Sequence, residues 1–484
     1  MKLWAGLKLC LKWALRITLV VIAGALLWFS PNIYHIYKWN PVFTPLSSHF
    51  YGEAETRTEA QADDIEFLGK LLKIDRSFSP ESRAGFKAEL NALNARAGNM
   101  SNAEFALGVA HAVALADNGH TNISQRSLMT LNNRLPVRFY WFNGNLHIVR
   151  AHPDHESLLG AEVIAFGHMP AKTALARANR YFGGAENWRT YMSTAILESP
   201  ALLEAAGIAG NGEQVSLSFR STTGDKFETQ LNALPAMESP NFSGIYPWMV
   251  LSDRKQPGEE TPWASLADSW VKAPLYLSRP EVPFFFSEDQ SANSLYVQVS
   301  FMLDLADNSI DEFWQSLETT IAGSQYDTIL LDLRHNPGGD FNTSVGPVSR
   351  LPDHLTDNGH IYIATSRATF SAAIVNTSVA KYHAGERAVI IGERVGDRDQ
   401  FWAEGGFPFR LPHSGLRISF ATGFHDWVNG CMGKHPLCYD GNEGVENPIS
   451  GLDPDVHVPL TFKDYSRGVD PVLVTIESGS HVPD

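Results

Sequence analysis

The chain has 484 residues, 44% of them hydrophobic, and a net charge of -15 at neutral pH. That length exceeds what one hydrophobic core serves and implies two or three domains. The acidic balance, with no stretch in which basic and aromatic residues interleave, excludes a nucleic-acid partner, which needs a basic face against phosphate.

The N-terminal stretch stands apart. Lys2, Lys8, Lys12 and Arg16 precede the apolar run ITLVVIAGALLWF at positions 17–29, with no acidic residue nearby. Basic residues ahead of such a run read as an export signal, and the small-x-small pattern of Ala23 and Ala25 falls inside the run rather than after it. The expectation is an uncleaved signal anchor over residues 1–40, a transmembrane segment in a bacterial inner membrane with its basic end in the cytoplasm and the remainder of the chain in the periplasm. Cleavage would instead give a secreted protein, and a buried N-terminal helix is the bland alternative. Cysteine usage agrees with export: Cys431 and Cys438 flank the turn-rich MGKHPL and are placed to form a disulfide in an oxidising compartment, whereas Cys10 lies in the basic segment. Two Cys and one His so close together lack the spacing of a zinc site, so no metal is expected.

After a Pro- and Ser-containing stretch, residues 53–130 read as a helical module: Ile65, Phe67, Leu68, Leu71 and Leu72 recur at helix spacing, and Ser101 with Glu104 forms a capping box. Residues 131–235 switch to short alternating strands (PVRFYWF, LHIVRA, EVIAFG, VSLSFR) with a helical insert near 171–182, a mixed α/β module. Residues 236–290, rich in Pro, Ser and Trp, read as a connector. From 291 to 484, strands and helices alternate (SLYVQVSFM, TILLDL, IYIAT, SAAIVNTSVAKYH, AVIIGE, LRISFAT), which predicts a largely parallel, buried sheet with its site at the carboxyl ends of the strands.

Two of those strand ends carry chemistry. TILLDLRHNPGGDF ends a strand in Gly338 and Gly339, whose backbone N–H groups suit a developing negative charge, or simply a turn. IYIATSRATFSAAIVNTSVAKY ends a strand in a short polar turn with Ser371 at a helix start, where the free N–H groups favour an adjacent oxyanion. Ser371 is there either a nucleophile or a helix cap.

DLRHNPGGDF, TFSAAIVNTSVAKYHAGERAVIIGE, LPHSGLRIS and DPDVHVPLTFKDYSRGVDPVL together, in this order, resemble the catalytic domain of the S41 family of serine peptidases, which includes C-terminal processing (tail-specific) and tricorn-like peptidases. Upstream, LADNGHTNI looks like the DGHT motif of the tricorn-like branch, and LLGAEVIAFGHMPAKTALARA resembles part of a PDZ-like module. The resemblance implies an α/β fold with a crotonase-like ββα superhelix as catalytic domain, an N-terminal helical module and a PDZ-like or mixed α/β module. It implies a membrane-anchored or exported serine endopeptidase acting on a peptide or protein substrate without a cofactor.

The family has two catalytic arrangements. Where the processing peptidases carry a lysine base, this chain reads GERVGDRDQ, with Asp397 near the lysine's place; Arg394 and Arg398 cannot substitute, because guanidinium does not deprotonate. Lys381 is a fallback but lies on the nucleophile's own helix, about 15 Å along it by helical rise. In the tricorn-like arrangement the base is a histidine from the helical module, and His120 matches it, although Gly119 stands where that branch has a serine. The resemblance therefore implies Ser371 as nucleophile, His120 as general base, backbone N–H groups of Gly338 or Gly339 and of Ala372 as oxyanion hole, and Glu446 or Glu443 as orienting carboxylate; Asp332, Arg334 and Asn336 would brace the loop. Rival readings are a non-catalytic protein binding peptide or hydrophobic ligand on the same fold, an acyl-CoA enzyme, which export disfavours, and a metal hydrolase at His152, Asp154 and His155, which lacks an HExxH helix.

Overall fold

A computed structural model describes residue 18 and residues 51–236, 250–255, 259, 261–305, 307–406, 408–439 and 448–479. The segment read as a signal anchor, apart from residue 18, and Cys10, Glu443 and Glu446 lie outside the described residues. Among the described residues no helix is long and apolar enough to cross a membrane.

The helical module comprises Arg57–Gly69, Leu71–Ile74, Pro80–Ala95, Asn102–Ala114 and Gln125–Leu131. Both halves of the capping box form, Glu104 N–H donating to Ser101 and Ser101 N–H to the Glu104 carboxylate. These helices share one core with an antiparallel sheet of β1 (Val137–Phe142), β2 (Asn145–Ala151), β3 (Glu162–Phe166), β4 (Met169–Pro170), β5 (Gln214–Arg220), β6 (Lys226–Asn232) and β7 (Ala264–Ser265). The alternation of β5 is plain in its burial, with Val215, Leu217 and Phe219 inward and Ser216 and Ser218 half-buried, as one packed face requires.

The second sheet has the order β17-β12-β11-β10-β9-β8, from β8 (Phe284–Asp289), β9 (Ser294–Val299), β10 (Tyr326–Asp332), β11 (Leu355–Thr365), β12 (Ala388–Gly392) and β17 (Val456–His457). Every pair is parallel except β8 with β9. One face packs on helices Ile310–Ile321, Asn342–Arg350 and Ala372–Ala384, the other on Val472 of the C-terminal helix Pro471–Glu477. Burial on both faces explains the unbroken apolar runs of β10 and β12.

The stretch read as a connector carries β7, which pairs with β2, and β8, which forms the antiparallel edge of the second sheet. Helices Glu186–Met192, Thr194–Leu197 and Pro200–Ala205 follow the expected insert, and LRISFAT contributes only β15 (Arg417–Ile418), paired with β14 (Phe409–Arg410). That hairpin lies between the two strands of a second short ribbon, β13 (Gln400–Ala403) against β16 (Gly423–Asp426).

Register decides what meets at the carboxyl ends. Asp332 pairs with Ala364, and Thr365 with Gly392, so β10, β11 and β12 end level. The loops that follow them, carrying Gly338 and Gly339, Ser371, and Asp397, therefore converge.

Candidate active site

The loop after β10 is braced from within. Arg334 donates to both Asp332 and Asp470, at 2.7 and 2.8 Å to the two Asp470 oxygens, and lies over the Tyr276 ring at 4.4 Å. Burial raises the Asp332 carboxyl, but the Arg334 guanidinium outweighs that and holds it below the usual carboxylate range. Asn336 Nδ2 donates to Val299 O at 2.8 Å, and Asn336 Oδ1 accepts the Gly338 N–H at 2.8 Å. The Gly338 N–H is thus committed inside the loop and is not free to serve an oxyanion.

Gly338 contributes space instead. Its φ is 115°, and a Cβ there would stand 2.6 Å from Ser371 Cβ. The Gly339 φ is 137°, and Met302 clasps it through its neighbours, Met302 N–H to Gly338 O and Asp340 N–H to Met302 O, which leaves Gly339's own N–H outside that pairing.

Ser371 sits at φ 54°, ψ -122°, a conformation that costs a non-glycine residue roughly 1–3 kcal/mol. Its turn is held by Thr369, which bonds Leu333 O at 2.7 Å, and by Phe370 N–H to Asn336 O at 2.9 Å. At the N-cap of helix Ala372–Ala384, the Ser371 side chain makes no capping hydrogen bond, so the capping role is unfilled and the hydroxyl is left for other work. The Ala372 N–H opens that helix, where a first-turn donor has no partner within the helix.

His120 arrives from the helical module on a loop locked to the half of the chain that carries Ser371. Thr121 Oγ1 donates to Asp75 Oδ2 at 2.7 Å, and Asn118 exchanges hydrogen bonds with the Trp402 backbone on β13. The imidazole lies between two phenyl rings, Phe370 at 4.3 Å and Phe401 at 5.3 Å, both stacked. Phe370 precedes Ser371, and Phe401 lines the cavity into which Ser371 opens. His120 Nδ1 lies 3.5 Å from Asp397 Oδ2; neither ring nitrogen nor that oxygen has a hydrogen-bond partner among the described residues. Asp397 Oδ1 accepts the Arg398 N–H at 2.8 Å.

Asp397 is therefore the carboxylate beside the imidazole among the described residues, in the place where the Glu446 expectation has no described counterpart. Lys381, the fallback base, is held by both oxygens of Asp455 at 3.0 and 2.9 Å. Arg394 pairs with Asp399 and Asp453, and Arg398 with Asp117.

A second imidazole was not singled out from the sequence. The Ser371 cavity, about 240 Å³, is also lined by Asp340, Glu404, His425 and Tyr439. His425 Nε2 lies 3.2 Å from Glu404 Oε1, and its ring stacks on the far face of Phe401 at 5.1 Å. The signal was weak because two four-residue strands, β13 and β16, bring Phe401 opposite His425. Cys431 and Cys438 form the expected disulfide, directly before the cavity-lining Tyr439.

No protein-family model and no curated protein matches the sequence. Solved structures do: mature CPAF aligns over 87% of this chain and 96% of its own at 13% identity with a TM-score of 0.52. A CPAF mutant aligns over 88% and 99% at 13% identity with a TM-score of 0.53. The photosystem II D1 C-terminal processing protease aligns over 85% and 98% at 14% identity with a TM-score of 0.35. The chain thus shares the CPAF fold across nearly its full described length.

Proposed function

We propose that the chain is an S41-type serine peptidase of the tricorn-like arrangement. The observation that carries this reading is the position of His120, clamped between the neighbour of Ser371 and a wall of its cavity with Asp397 at Nδ1. The fold shared with CPAF supports it. So does the failure of Ser371 to cap its helix.

In this reading Ser371 Oγ attacks a peptide carbonyl carbon and His120 accepts its proton. The carbonyl oxygen becomes an oxyanion held by the N–H groups of Gly339 and Ala372, a contribution of about 3–4 kcal/mol per donor in other enzymes. Collapse of the tetrahedral species breaks the C–N bond, and the imidazolium gives its proton to the leaving amine. Water, deprotonated by the same imidazole, then hydrolyses the acyl-enzyme. The carboxylate of Asp397 orients the ring and stabilises the imidazolium; Glu446 is the alternative for that role.

The finer architecture follows the same reading: a crotonase-like superhelix for the second sheet and its helices, and a PDZ-like module within residues 131–235. Anchorage by residues 1–40 with the catalytic domain in the periplasm is proposed from the N-terminal charge pattern, and the disulfide fits an oxidising compartment. The test is a fluorophosphonate probe on the purified full chain, with peptide-library cleavage alongside. Labelling and cleavage that vanish in Ser371→Ala support the enzyme. A folded wild type that neither labels nor cleaves would favour the non-catalytic binding protein.

A further inference from the structure

Resting on the peptidase reading, we propose that Glu404, oriented by His425, forms a subsite that receives a lysine or arginine side chain of the peptide beside the bond Ser371 attacks.

The cavity at Ser371 is polar and one-signed. Two carboxylates, Asp340 and Glu404, line it together with His425, and no Lys or Arg is among its lining residues. Asp340 has one oxygen engaged, its Oδ1 accepting from the Asn342 backbone N–H at 3.0 Å and from Asn342 Nδ2 at 2.8 Å. Glu404 is the lining carboxylate with neither oxygen hydrogen-bonded among the described residues.

Its placement is enforced at a cost. Glu404 has φ 66°, a left-handed conformation that disfavours a side-chain-bearing residue. The neighbouring chain packs closely here: a Cβ on Gly405 would stand 1.6 Å from Phe420 O, and the Glu404 carbonyl accepts the Thr422 hydroxyl. Strain held this way beside a nucleophile marks a residue whose direction matters.

His425 gives the second, independent observation. Its residue is only 4% exposed, its ring stacks between Phe401 at 5.1 Å and Trp427 at 5.8 Å, and its Nε2 is buried with no hydrogen-bond partner among the described residues, since Glu404 Oε1 at 3.2 Å lies out of alignment. A cation drawn to Glu404 lets the carboxylate turn to accept both the incoming N–H donors and an N–H from His425 Nε2. An apolar side chain would instead leave both groups desolvated and unmatched. At about 240 Å³ the cavity is smaller than the roughly 300–1,000 Å³ of sites for whole small molecules, which suits one side chain. The net charge of -15 further attracts cationic peptides.

The experiment compares kcat/KM for fluorogenic peptides that differ only in Arg, Lys, Leu or Glu before the cleaved bond, in wild type, Glu404→Gln and Glu404→Lys, with a neutral fluorophosphonate reporting on Ser371. The expected wild type prefers Arg and Lys; Glu404→Gln lowers the Arg-to-Leu ratio by about tenfold or more, and Glu404→Lys shifts preference toward Glu. In unaltered wild type, benzamidine as a small cation competes with the Arg peptide, which keeps the test independent of variant folding. A wild type that prefers Leu, or a ratio unchanged in Glu404→Gln, overturns the subsite. An equal loss across all peptides and the fluorophosphonate also overturns it, by making Glu404 part of the catalytic machinery. A wild type that never labels sinks the peptidase reading itself, a different result from a labelled enzyme with apolar preference.

Discussion

Gly119 and Phe370 interlock: a Cβ at position 119 would stand 2.9 Å from two carbons of the Phe370 ring and 3.3 Å from the Trp188 indole. Trp188 in turn stacks on Phe370 at 3.8 Å, and Phe370 on His120. The glycine before the histidine is thus the space into which the aromatic support of the imidazole packs, which is why a serine at this position is incompatible with the present stack.

Gly119→Ser should therefore tilt Phe370 and loosen His120. Overpacking of this kind costs about 1–3 kcal/mol, so a lowered urea midpoint is expected together with a fall in kcat that exceeds any change in KM. Unchanged kcat in the folded variant would show that the stack does not position the base.

Asp397→Asn preserves shape but removes the charge 3.5 Å from His120 Nδ1. By analogy with orienting carboxylates elsewhere, kcat should drop by about three to four orders of magnitude with KM little altered. Glu446→Gln, assayed in parallel, should be mild; the reverse ranking would give Glu446 the role.

Lys381→Met tests the other family arrangement. Lys381 Nζ is engaged by Asp455, whose Oδ2 also accepts the Ile390 N–H at 2.8 Å. Labelling of Ser371 should proceed at the wild-type rate, with a stability loss of about 1 kcal/mol or less because the pair is partly exposed. Abolished labelling in a folded Lys381→Met would reinstate a lysine base.

Acid should destabilise the fold partly through His335. Burial pulls its pKa down to about 4, its Nε2 is buried without a hydrogen-bond partner among the described residues, and its ring stacks on Tyr276 at 5.6 Å. The folded value lies below the unfolded one of about 6.5. Between the two the unfolded chain binds a proton that the folded chain refuses, so stability falls as pH drops from about 6.5 and the loss saturates near 4, at about 3 kcal/mol. Urea titrations across that window should show the slope reduced by one proton in His335→Gln.

The disulfide should matter to stability and to the cavity wall. Replacing Cys431 and Cys438 together by Ser should cost about 2.5 kcal/mol on the chain-entropy account of so short a loop. Because Tyr439 follows Cys438 and lines the Ser371 cavity, KM for peptides should rise while the wild-type disulfide is reduced and return on reoxidation. An unchanged KM under reducing conditions would separate the loop from the site.

Much of the site was legible because its signals are local. Ser371 and the glycine pair stand at the ends of apolar runs whose parallel register is dictated by burial on both faces, and the His120 loop carries a short motif of its own. Asp397 was visible only as the residue in a missing lysine's place, since nothing in GERVGDRDQ says which way its side chain turns. That the Gly338 N–H goes to Asn336 could not be read, because it depends on one amide rotamer. Glu404 and His425 were hidden further: their meeting depends on the β13–β16 ribbon, too short and too glycine-flanked to announce its pairing, and on the positive φ of Glu404. β8 was absorbed into the connector because a polar SED follows its aromatic half.

His120, and not His425, is the proposed base for Ser371. The direct measurement is the rate of fluorophosphonate attachment to Ser371, read by mass spectrometry, in wild type, His120→Gln and His425→Gln, each checked for folding. A loss of about three orders of magnitude or more is expected in His120→Gln, and a rate within about tenfold of wild type in His425→Gln. Unimpaired labelling in His120→Gln, with the loss appearing in His425→Gln, would contradict it.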